Sequence, residues 1–164
     1  MIAKLENGSY NVYNEDGLLI GGIKTQSNFN TTEFSIDGET FKLSRNKWDT
    51  KVFKDEKIIY NLKTNSFSGN TELLETGQKI TGVTGFKWGT KMVDKENNTL
   101  LKIRNKNKFI NTNQYVIEIS NPNATDFDIL LTLYGHIHGS NMKLKVVILS
   151  IIVAGIIAGR VLIQ

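Results

Sequence analysis

From Ile2 to about Tyr134 the chain reads as short alternations of apolar and polar residues, broken every ten positions or so by turn residues. Tyr10 and Val12 lead through Asn14-Glu15-Asp16-Gly17 into Leu18-Leu19-Ile20. Phe34 and Ile36 reach Asp37-Gly38 and resume at Phe41 and Leu43. Asp-Gly between alternating runs predicts a tight hairpin. Trp48 to Lys54 turns at Asp55-Glu56 into Ile58 to Leu62. Asn65 and Gly69 punctuate before Thr71 to Leu74 and Lys79 to Thr81. Phe86 to Val93 turns at Asp94 to Asn98 into Leu100 to Arg104. Tyr115 to Ile119 and Phe127 to Leu133 close the series, the latter read as a strand. Alternation with period two is the signature of a half-buried strand. The pattern predicts about 12 or 13 strands and no helix before residue 142.

The tail follows another rule. Residues 146–159 carry no charge, and Ser150 is their one polar side chain. A helix that is apolar on every face is buried all round, in protein or in lipid. Fourteen residues at 1.5 Å each span about 21 Å, less than a hydrocarbon core of about 30 Å. That length predicts a core helix. A longer window, Leu144 to Ile163, instead reads as a tail anchor with Lys143 and Lys145 on its cytoplasmic side. About twelve strands closed into a barrel leave an axial space wider than eight strands do, and something apolar must fill it. The fold expectation is therefore mainly β: one domain, 1–164, a closed antiparallel barrel of about 12 strands enclosing the hydrophobic C-terminal helix.

Composition narrows the chemistry. The chain holds 20 basic and 16 acidic residues. Lys143, Lys145 and Arg160 lie in the tail, so the first 141 residues stand 17 to 16 and are nearly neutral. The basic balance is thus weak support for a nucleic-acid surface. With no cysteine there is no disulfide, thiol nucleophile or Cys-type zinc site. The first residues lack a basic segment followed by an apolar core, so no secretory signal is read and a cytoplasmic location, with membrane association, is expected.

Four cations fall within seven residues at Lys102, Arg104, Lys106 and Lys108. Such a cluster suits phosphate or an anionic headgroup, although the plainer reading is a solvated hairpin turn whose Lys and Asn protect an exposed edge. Arg45, Lys47, Lys51 and Lys54 surround Trp48, but the odd spacing of Lys51 and Lys54 puts them on opposite faces of a strand. His136 and His138, two apart, would share one face of a strand. Zinc needs three or four ligands, and no local carboxylate or cysteine completes a set. No metal site, catalytic constellation or cofactor motif is read. Gly82-Val83-Thr84-Gly85 lacks the ending of a phosphate loop. Gly21-Gly22 marks a bulge or bend, and Trp48 and Trp88 are expected to pack in the wall.

The segment Ser66-Phe67-Ser68-Gly69-Asn70-Thr71, with Trp88 and Lys91 downstream, and the basic-to-apolar helix entry Met142-Lys143-Leu144-Lys145-Val146-Val147-Ile148-Leu149 resemble the tubby C-terminal-like superfamily. That group takes in tubby proteins, phospholipid scramblases and LURP-one-related proteins. The resemblance covers the whole chain. It implies a 12-stranded barrel around helix 142–164, and a binding or scaffold module without enzymatic activity that contacts anionic phospholipid headgroups through basic residues. The chain departs from scramblases at 134–141, where no acidic calcium-binding segment precedes the helix. Scramblase activity and calcium control are not carried over. The expected partner is anionic membrane lipid or a protein. The remaining alternatives are a tail-anchored protein with a cytoplasmic β-domain and an enzyme with a barrel-mouth pocket.

Overall fold

The computed structural model describes residues 1–26, 30–82, 89–107 and 112–139. It contains twelve strands: β1 Ile2–Glu6, β2 Ser9–Tyr13, β3 Leu19–Thr25, β4 Thr31–Ile36, β5 Glu39–Asn46, β6 Asp49–Lys54, β7 Lys57–Thr64, β8 Thr71–Leu73, β9 Lys79–Gly82, β10 Thr90–Val93, β11 Thr99–Asn105 and β12 Gln114–Ile119. Each pairs antiparallel with its neighbour in sequence, and β1 pairs with β12 to close the barrel. Closure removes the free edges that an open sheet exposes.

Local chemistry sets the turns. Asn7-Gly8 and Asp37-Gly38 both hold two successive positive φ angles, the requirement of the tight hairpin turn that matches strand twist. Asp55-Glu56 adopts the same signs without a glycine. The register of β2 against β3 slips where Val12 faces Gly21 and Tyr13 faces Leu19. Ile20 is the extra residue of this bulge, beside the predicted glycine pair.

Alternation sorts the faces. Val12, Ile23, Phe34, Leu43, Val52, Leu62, Leu101 and Ile117 point inward and are buried. Lys24, Glu33, Lys42, Lys51, Lys63 and Lys102 point outward and are exposed. A barrel that crosses a membrane wears its apolar band outside, so this wall is built to face water.

A helix, α1, spans residues 126–139 and runs down the barrel. At 1.5 Å per residue its 14 residues measure about 21 Å. It is buried on every side: Leu130 approaches Gly21 of β3, Tyr134 meets Phe34 of β4, and Gly135 lies against Ile80 of β9. Phe127 stacks on Tyr60 of β7 with ring centres 5.2 Å apart and tilts against Phe41 at 5.4 Å. Gly135 has no side chain where one would press on Ile80 at 3.1 Å.

Two expectations are corrected here. The run Phe127 to Leu133 is not a strand but the middle of α1. A short continuous apolar run reads the same for a strand and a buried helix, and the Thr125–Asp128 cap decides for helix. The helix inside the barrel is 126–139; the expected helix 142–159 lies outside the described residues. Likewise β10 begins at Thr90, and residues 83–88 of the expected strand lie outside the described set.

Candidate functional site at the barrel end

Because every strand reverses its neighbour, β1, β3, β5, β7, β9 and β11 all end, and the strands that follow them begin, at one end of the barrel, where their connections leave the sheet. Helix α1 enters at the opposite end, after β12, and its residue 139 comes out among these connections. The two ends differ in chemistry. At the entry end every strand connection holds a carboxylate: Glu15 and Asp16, Asp37, Asp55 and Glu56, Glu75, Asp94 and Glu96. At the exit end no connection holds an Asp or Glu. Lys47 and Lys106 are there and exposed, and Lys108 belongs to the same connection as Lys106 but lies outside the described residues.

Inside this end the lining turns polar. Thr25 and Thr32 share a hydrogen bond of 2.9 Å, as do Thr64 and Thr71. His136 of α1 bridges two strands, with Nδ1 2.9 Å from the Thr90 hydroxyl and Nε2 2.8 Å from Asn105 Oδ1. Since a carbonyl oxygen only accepts, Nε2 carries a proton and donates it to Asn105, while Nδ1 and the Thr90 hydroxyl share the second hydrogen bond. Arg45 of β5 reaches inward. Its Nε donates to the Lys47 carbonyl at 2.8 Å, and its Nη1 lies 2.9 and 2.7 Å from the two ring nitrogens of His138. No carboxylate pairs with Arg45 among the described residues. Burial raises the Tyr134 hydroxyl above its usual pKa, and the neighbouring Arg45 partly opposes that shift. Burial likewise raises Tyr115, whose ring meets His136 edge-on at 5.4 Å.

The predicted residues fall as follows. Lys102 and Arg104 sit two apart on the outer face of β11, and Lys106 follows at its exit-end connection. Glu118 of β12 is the register partner of Lys102 and lies 3.3 Å from Arg104 Nε. One acid therefore shares the face of the cluster, and Lys106 stands clear of it at the barrel end. His136 and His138 do not share a face: on a helix two positions are about 200° apart, so one ring meets Thr90 and Asn105 and the other meets Arg45. Trp48 does not pack in the wall. It sits in the β5–β6 turn, 38% exposed. Phe67, at the tip of the β7–β8 connection, is fully exposed. Asn65 Oδ1 fixes that tip by accepting from the Phe67 and Ser68 amides, both at 2.9 Å. Sequence reasoning took this segment as a mark of resemblance and missed its exposure. The signal available was an aromatic residue flanked by Ser, Gly and Asn, where no alternation supports it.

A protein of Arabidopsis thaliana, known from an X-ray structure, shares this fold. The two superpose with a TM-score of 0.56 at 14% identity, over 85% of this chain and 90% of that one. No protein-family model and no curated protein matches the sequence. At that identity the likeness speaks for the fold. Among the described residues no helix is long and apolar enough to cross a membrane.

Proposed function

We propose that the chain is a non-enzymatic binding module of the tubby C-terminal-like type, LURP-one-related in character, held at a membrane by its segment 142–164. One observation carries the reading: α1, residues 126–139, already fills the barrel. A domain needs one helix on its axis. The uncharged run 146–159 is then surplus to the core, and an apolar helix without a protein interior belongs in lipid. The window Leu144 to Ile163 has 20 residues, enough at 1.5 Å each for a hydrocarbon core of about 30 Å. Lys143 and Lys145 lie before it and suit an anionic leaflet, while Arg160 stands near its far end, where a long side chain reaches the interface. The basic positions Lys102, Arg104, Lys106 and Lys108 are the proposed headgroup contacts, Lys106 foremost because it lies at the end where the chain continues toward 142.

Two preparations test this. The full chain should resist extraction from membranes at alkaline carbonate, and a chain deleted for 142–164 should be released. The deleted chain should melt cooperatively. Full-length protein that carbonate extracts would remove the attachment. A deleted chain without a cooperative transition would return 142–164 to the core.

A further inference from the structure

We infer that the barrel stands end-on on an anionic bilayer, with Trp48 and Phe67 in the interface and Lys47 and Lys106 against the headgroups. This rests on the proposed function in one respect, that a membrane lies where the chain leaves α1.

Three observations point to that end and that partner. Trp48 and Phe67 project from adjacent connections, tied together where the Thr64 amide donates to the Trp48 carbonyl at 2.7 Å. Phe67 is as exposed as a side chain can be, and the Asn65 turn holds it there at a fixed site. Aromatic side chains beside lysines are the composition of membrane interfaces, where the ring enters the acyl boundary and the ammonium stays with phosphate. The second observation is charge. The connections at this end carry no carboxylate, and the strand-to-strand connections at the other end carry one or more each. A domain polarised in this way along its axis turns its acidic end from an anionic surface and its basic end toward it, over a Debye length of about 10 Å. The third is chain direction: α1 emerges here, and the apolar segment follows in sequence.

The acidic end also exposes apolar side chains, Leu18, Leu19 and Leu74. They stand among Glu15, Asp16 and Glu75, which a negatively charged surface repels.

The absence of cysteine makes the orientation measurable. Ser66→Cys beside Phe67 and Asp16→Cys at the acidic end each carry an environment-sensitive dye in the full-length protein. The protein is incorporated into phosphatidylcholine vesicles with and without phosphatidylserine, at about three parts to one. Lipid-borne quenchers should reach the Ser66 dye several-fold more than the Asp16 dye. The difference should grow with phosphatidylserine and shrink with salt. In the Ser66→Cys background, Phe67→Ser with Lys47→Glu should lower that quenching while carbonate resistance is unchanged. Equal quenching at both dyes, stronger quenching at Asp16, or no response to the paired substitutions overturns end-on docking. Protein that stays in the membrane with both dyes in water leaves the attachment standing and removes this orientation. Protein that carbonate extracts, with the Ser66 dye still quenched, removes the attachment and leaves the orientation.

Discussion

His136 on the central helix and Asn105 on the barrel wall meet at 2.8 Å through Nε2 and Oδ1. The contact fixes helix depth as well as rotation, because the same ring takes the Thr90 hydroxyl on its other nitrogen. Removing a buried polar partner leaves the other with its desolvation cost, about 1–3 kcal/mol. His136→Leu should therefore lower unfolding free energy by about that amount although it adds apolar surface. In a double-mutant cycle His136→Ala and Asn105→Ala should couple by about 0.5–1.5 kcal/mol. Coupling near zero in denaturant melts would contradict the bridge.

Gly21 and Gly22 are adjacent and should respond in opposite ways. A Cβ at Gly21 would lie 2.7 Å from the Ser35 carbonyl oxygen and 3.0 Å from Leu130 of α1. Backbone must move to admit it, so Gly21→Ala should cost about 1–3 kcal/mol. A Cβ at Gly22 points outward and meets only the Asn11 side-chain oxygen at 3.1 Å, with the Tyr10 carbonyl at an ordinary 3.8 Å. Asn11 can swing aside. Gly22→Ala should change stability by less than about 0.5 kcal/mol, or raise it by restricting the unfolded chain. Paired thermal melts of the two variants separate these outcomes.

The β10–β11 turn predicts an acid-sensitive contribution. Asp94 Oδ1 accepts from the amides of Glu96 at 2.9 Å and Asn98 at 2.8 Å, and Oδ2 from the Asn98 side chain at 3.0 Å. These bonds, led by the Asn98 side chain, hold its pKa below the ordinary 3.8. A folded-state pKa lower than the unfolded one adds stability that is complete above the unfolded value and fades as pH falls through the folded one. Melting temperature should thus fall below about pH 4 less steeply in Asp94→Asn than in the parent chain. Parallel slopes across that range would refute the assignment.

Barrel and turns were legible because alternation has a strict period and Asp37-Gly38 a strict backbone demand. Trp48 was misplaced since an aromatic residue next to a strand reads as wall, and only the register, with Asn46 opposite Asp49, shows it as a turn residue. The basic run Lys102 to Lys108 was legible as charge, yet its pairing with Glu118 depends on a neighbour 14 positions away. The polar lining at Arg45, Thr90 and Asn105 joins four separate segments with His136 and His138, and no local pattern announces that convergence. The charge difference between the two ends became visible only once the meander assigned alternate turns to each.

Thr125 and Asp128 carried the missed signal. The Thr125 hydroxyl accepts from the Asp128 amide at 3.1 Å, and Asp128 Oδ2 accepts from the Thr125 amide at 3.0 Å and its hydroxyl at 2.8 Å. This is a reciprocal capping box, and its Thr-x-x-Asp spacing before an apolar run marks a helix start. An acid in the first turn also meets the positive end of the helix dipole. Thr125→Ala should cost about 0.5–2 kcal/mol. Asp128→Ala should cost more, because Asp128 is 5% exposed and its other oxygen also receives Gln78 at 3.5 Å. Since α1 is the core of the whole barrel, the loss should appear as a shift of the single cooperative transition followed both by far-ultraviolet circular dichroism and by tryptophan fluorescence. Fraying of the helix alone, with the fluorescence transition unmoved, would mean that the barrel does not depend on how α1 begins.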